Sequence, residues 1–141
     1  MKSLHLTIAF LGAVLMAVPV GALAGGKIDL GKREYEANCA LCHGASGKAE
    51  GTYAELLKAR IPDLTILSKG NNGVFPFARV YETIDGTIEL KAHGKREMPI
   101  WGQQYRTAAA EYYMDVPYDE QAFVRSRILA LTEYIYRLQA K

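Results

Sequence analysis

The chain has 141 residues, half of them hydrophobic, and its 17 Lys and Arg nearly balance 15 Asp and Glu. That length bounds the fold to one domain, and a near-neutral chain without a basic run or an interleaved aromatic stripe is no nucleic-acid binder. With two cysteines and three histidines, a four-ligand zinc site would have to take both cysteines and at least one histidine far from them in sequence.

Residues 1–24 read as a secretory signal. Lys2 gives a positive start, Leu4 to Val20 is apolar, and Ala22-Leu23-Ala24 is a small-x-small cleavage site. An uncleaved membrane anchor competes with this reading. The apolar stretch is about seventeen residues, at the bottom of the spanning range, and it contains Gly12 and Pro19. Cleavage before Gly25 leaves residues 25–141 as one exported domain, periplasmic and with no stable membrane insertion.

Asp29 to Cys42 reads as a helix with Asp29 as N-cap and Gly44 as stop. It ends in Cys39-Ala40-Leu41-Cys42-His43, and Cys-x-x-Cys-His is the attachment signature of c-type haem. On a helical stretch, positions i, i+3 and i+4 share a face. Cys39 and Cys42 can each form a thioether to one haem vinyl while His43 turns its imidazole to the iron. A zinc site would have only His5 and His93 left to draw on. A thioredoxin-like dithiol would sit in a βαβ pattern, which is not visible here. One covalent haem c consumes both cysteines, so no disulfide is expected. It also supplies apolar surface to a chain with a limited core.

Further along, Gly44-Ala45-Ser46-Gly47 is a loop, Tyr53 to Arg60 a short helix stopped by Ile61-Pro62, and Asn71-Asn72-Gly73 a turn. Val74 to Ile84 has Phe77, Val80, Tyr81 and Ile84 at helical spacing and closes at Asp85-Gly86. Gly86 to Gly102 lacks that period and reads as a long ordered loop. Gln103 to Tyr118 reads as a surface elaboration without an assigned role. Asp119 then caps the strongest helix, Glu120 to Gln139, whose stripe is Phe123, Val124, Ile128, Leu131, Ile135 and Leu138. No strand pair is evident, and the class is all-α with substantial loop.

His43 fills one axial position of the iron, and the other has four candidate answers: Met98, Met114, His93 or no residue. Met98 is favoured. It lies in Arg96-Glu97-Met98-Pro99-Ile100-Trp101-Gly102, an irregular segment stiffened by Pro99, where a methionine need not pack as it does in a helix. Met114 suits a core position equally well, and His93 suits an exposed one.

With these residues placed, the chain resembles the class I cytochromes c, small monohaem carriers of bacterial periplasms and mitochondria. The likeness covers the mature chain. The haem motif stands near the N-terminus, and a Met-Pro pair follows some fifty-five residues later. Gly31 and Tyr35, eight and four residues before Cys39, match the family's small residue and aromatic where the first helix crosses the last. Leu131 and Tyr134 match their partners. The resemblance implies a small all-α fold wrapped around one haem, His43 and Met98 as axial ligands, and the Pro62 carbonyl against Nδ1–H of His43. It also implies Trp101 beside a haem propionate.

It further implies one-electron transfer rather than catalysis, by a monomer meeting donor and acceptor proteins briefly. Lys48, Lys91, Lys95 and Arg96 flank the implied crevice and could steer an acidic partner. Two other readings stand beside this one. A labile sixth position would make a gas-binding or peroxide-handling protein, and a large apolar patch would mark a haem-bearing subunit of a larger respiratory complex. The intact mass of the exported protein should equal residues 25–141 plus one haem. A mass that keeps residues 1–24, or lacks haem, would contradict this reading.

Overall fold

The computed structural model describes residues 27–58, 60–88 and 98–140. The signal at 1–24, His93, and Lys91, Lys95 and Arg96 lie outside the described residues. These form five α-helices: α1 Leu30–Asn38, α2 Ala40–His43, α3 Phe77–Asp85, α4 Trp101–Tyr112 and α5 Glu120–Arg137. Three single 3₁₀ turns, Ala54–Leu56, Leu64–Ile66 and Lys69–Asn71, punctuate the long connection between α2 and α3. The all-α class stands, and no strand occurs among the described residues.

Helix α5 is the post against which the others pack. Its N-cap Asp119 accepts from Ala122 N–H at 2.9 Å, and its inward stripe Val124, Ile128, Leu131 and Ile135 is buried. Helix α1 starts the same way, with Asp29 Oδ1 accepting from Lys32 N–H at 3.0 Å. The two cross at Gly31. A Cβ there would lie 2.0 Å from the Ala130 carbonyl oxygen and 2.9 Å from Tyr134 Cβ, so no larger residue fits. Tyr35 is wholly buried beside the crossing, its ring centroid 5.1 Å from that of Tyr134. At one rim Arg137 pairs with Asp29 and lies over the Tyr134 ring.

The single helix read over Asp29–Cys42 is in fact two. Cys39, at φ −117°, interrupts it, though Cys39 N–H still reaches the Tyr35 carbonyl at 2.8 Å. A fresh turn then opens, with His43 N–H donating to the Cys39 carbonyl at 2.9 Å. The helix read over Tyr53–Arg60 shrinks to the 3₁₀ turn Ala54–Leu56. Leu56 is 76% exposed, so there is no buried face to hold a longer helix. Helix α3 begins at Phe77 rather than Val74, after Pro76 as its N-cap, and buries Val80 and Ile84.

The largest departure is α4. Most of the 103–118 stretch, read as a surface elaboration, is a helix that starts at Trp101 inside the segment read as a loop and buries Tyr105 and Ala109 against α5 and α3. Its buried residues are Gly102, Tyr105 and Ala109, and the two small ones, Gly102 and Ala109, permit close approach. A Cβ on Gly102 would come within 2.4 Å of Asp85 Oδ1 and 2.7 Å of the Asp85 carbonyl. The glycine that looks like a helix breaker is therefore the contact with the end of α3.

The chain end fastens the middle connection. Gln139 Nε2 donates to the Leu64 carbonyl at 2.7 Å, Gln139 Oε1 accepts from Ser68 N–H at 2.9 Å, and Ala140 N–H meets the Thr65 carbonyl at 2.8 Å. Gly31→Val should drive α1 and α5 apart and cost about 1–3 kcal/mol of stability. A variant that melts with the parent would show that the crossing does not bear on the fold.

Candidate functional site

Between α2, the Pro62–Leu67 segment, α3 and Met98 lies an apolar cavity of about 310 Å³. Cys39 and His43 form one side. Leu64, Leu67, Val80, Ile84 and Ile135 supply apolar wall, with Arg79 and Thr83 as polar members, and Met98 reaches the cavity from the far segment. Residues 55 positions apart in sequence thus border one hollow.

Each of these side chains has a reason to be where it is. Tyr35 fixes the turn beyond the motif, its hydroxyl donating to the Gly44 carbonyl at 2.8 Å. Gly44 (φ +80°) then reverses the chain. The returning segment docks on the motif's carbonyls: Ala49 N–H meets the His43 oxygen and Tyr53 N–H the Leu41 oxygen, both at 2.9 Å. Gly51 must be glycine, because a Cβ would lie 2.3 Å from that Leu41 oxygen. His43 is held by its backbone on both sides.

Burial holds the His43 imidazole below its ordinary range, with the Pro62 carbonyl pulling the other way. The neutral ring is the form that ligates a metal. Nδ1 is buried, and the Pro62 carbonyl that the resemblance implies is the backbone group acting on it, at a geometry short of a full hydrogen bond. Burial pushes the Cys39 thiol up to about 12, and the charges of Glu34 and Cys42 add to the effect. A thiol so reluctant to ionise is a poor redox nucleophile, which argues against a working dithiol. Cys39 and Cys42 are both free and half-buried, and Cys42 stands in the same turn but outside the cavity wall. Among the described residues no group of three or more His, Cys, Asp or Glu side chains is placed to hold a metal ion.

Met98 packs partly buried against the core beside this cavity. Met114 is 79% exposed beyond α4 and does not line the cavity, so the core position that suits it in the sequence is not the one the fold gives it. Trp101 also departs from expectation. It lies 6.2 Å from the Tyr105 ring and lines a second hollow with Glu34, Asn38 and Arg127 rather than the main cavity. The tyrosine-rich segment divides in the same spirit: Tyr105 is core, and Tyr113 stacks on Tyr118 at 4.7 Å. Tyr112 is 78% exposed.

Sequence reasoning missed Arg79 and Thr83 on the cavity wall, since both are polar positions beside the α3 stripe. It also missed the buried Glu34, which sits among Lys32, Arg33 and Glu36 and looks solvated.

The donor set fits a c-type haem. The apolar hollow is lined by the imidazole of His43, the thioether of Met98 and the thiol of Cys39, the kinds of group that would hold such a cofactor. Among known proteins, the family model described as cytochrome c oxidase, cbb3-type, subunit III matches residues 26–112. No curated protein and no solved structure matches the chain.

Proposed function

This chain belongs to the family of cytochrome c oxidase, cbb3-type, subunit III, and from that membership we propose that it is an exported one-electron carrier whose single haem c would be held by Cys39, Cys42, His43 and Met98. The observation that carries the proposal is the meeting of Cys39, His43 and Met98 around one apolar cavity. Bound there, haem c supplies a one-electron ferrous/ferric couple.

The chain's own residues do the rest. Cys39 and Cys42 would hold the group covalently and keep it seated. His43, buried and with its ring held neutral, would hold the iron through an imidazole nitrogen. Met98 would offer a soft thioether, a donor that favours the ferrous state and raises the potential relative to a second histidine. Leu64, Leu67, Val80, Ile84 and Ile135 exclude water, so little solvent has to reorganise when charge changes. Arg79, exposed at the wall of the same cavity, would be a cation available to carboxylates of the group. Lys48 stands by the neighbouring Pro62–Arg60 surface, where an acidic redox partner would be steered.

The residue range 1–24 reads as an export signal, and among the described residues no helix is long and apolar enough to cross a membrane. The family's description favours a second reading, in which the chain is a haem-bearing subunit of a larger respiratory complex. Tyr112, Met114 and Val116, each at least 60% exposed, are the surface such a partner would cover.

Optical spectra test both the ligands and the role. The oxidised protein should show the weak near-infrared charge-transfer band of methionine on ferric iron, and the reduced protein should resist carbon monoxide. Met98→Ala should abolish the band, admit carbon monoxide and lower the potential, while Met114→Ala should leave all three unchanged. Loss of the band in the Met114 variant alone would reverse the assignment. Rapid carbon monoxide binding by the parent would favour an open-site protein over a carrier.

A further inference from the structure

Of the buried residues described, Glu34 alone carries a formal charge, at 9% exposure, and it lies outside the haem cavity. Its carboxylate is fully engaged. Oε2 accepts from the Tyr105 hydroxyl at 3.0 Å and from Asn38 Nδ2 at 3.1 Å, and Oε1 is paired with Arg127. Three helices are joined at this point: α1 by Glu34 and Asn38, α4 by Tyr105 and α5 by Arg127. Desolvating a carboxylate is costly, and a buried ion pair by itself is weak evidence of added stability. A role beyond holding the fold is therefore worth seeking, and the position of Glu34 along the chain suggests one.

Glu34 is five residues before Cys39, and Tyr105 is seven residues after Met98. The segment between Met98 and Tyr105 has little play. Ile100 rests against Gly86, where a Cβ would come within 2.6 Å of its Cγ2, and Gly102 rests against Asp85. Gln104 N–H donates back to the Ile100 carbonyl at 3.2 Å, so the helix is wound from its first residues. Trp101 lies against Tyr105 one turn on. On its C-terminal side Met98 is thus tied closely to α4, and α4 is fastened to α1 through Tyr105 and Glu34.

We propose that Glu34 and Tyr105, with Arg127 as counter-charge, are positioning residues that keep Met98 on the haem iron by latching α4 to the helix that leads into the haem motif. The proposal rests on the reading that Met98 is the sixth ligand. Both ends of the axial pair are then referenced to α1: His43 through Cys39, and Met98 through α4 and the latch. Without the latch, the thioether stays within reach but leaves the iron more often. A hydrogen bond to a buried charge is among the stronger ones, and leaving either partner unpaired penalises the closed arrangement specifically.

The test uses the haem-loaded protein and imidazole as the probe, which enters ferric iron only when the methionine has left. Tyr105→Phe removes one hydroxyl and keeps the shape of the core. It should retain the near-infrared band at rest, yet raise the limiting rate of imidazole binding about tenfold, the size of one hydrogen bond to a charged group. Glu34→Gln should act in the same direction, and the double variant should fall short of the sum because the two share one contact. Asp29→Ala, which removes the distant α1 cap and its pair with Arg137, supplies a destabilised control that should bind imidazole at the parent rate. Parent-like rates in Tyr105→Phe, or equal acceleration in Asp29→Ala, would overturn the latch. A parent protein without the band would overturn the Met98 reading itself, and the latch with it.

Discussion

At Gly31 the backbone of α1 lies so close to the Ala130 carbonyl of α5 that a single methyl group has no room. The rest of the site is placed from that approach. It sets Tyr35 between the two helices, and Tyr35 in turn holds the Gly44 carbonyl just beyond the haem motif. It sets Glu34 on the side facing α4, where Tyr105 meets it. A crossing with larger residues would move α1 outward, and Cys39 and His43 would move with it away from Val80, Ile84 and Ile135. The close contact is thus as much a registration mark for the cofactor as an item of core packing.

Much of this geometry is written locally. Asp29 and Asp119 cap as their positions suggest, and the α3 and α5 stripes bury the residues that their spacing selects. Gly31, Tyr35 and Tyr134 meet because a small residue and two aromatics at those offsets have few other arrangements. The haem motif is the most legible feature of all, since its chemistry requires three named residues within five positions. The irregularity of its segment singles out Met98 in the sequence, and in the fold the same residue lines the cavity.

Helix α4 was illegible for a physical reason. A helix that packs through Gly102 and Ala109 shows no apolar stripe, because close approach calls for small residues rather than large ones. Glu34 was hidden by the opposite effect. It is a charged residue in a charged stretch, and only partners 71 and 93 residues away, Tyr105 and Arg127, turn its position into core. Burial of that kind is a property of tertiary approach, and no local pattern carries it. The two misses are linked. The helix that sequence periodicity overlooked is the one that brings Tyr105 to the acid that looked solvated.

The proposed electron carrier draws on two separate parts of the fold: the buried imidazole of α2 and its returning loop, and the thioether of the segment ahead of α4. Low-dielectric walls and two such donors would let charge change with little rearrangement. The central claim is that Met98 and His43 share one iron. Proton NMR of the reduced protein with labelled methionine methyl groups tests it most directly, because a methyl held over the face of a haem is displaced far upfield by the ring current. The account predicts that the Met98 methyl alone is so displaced, with Met114 at an ordinary position. A displaced Met114 methyl, or no displaced methionine at all, would contradict it.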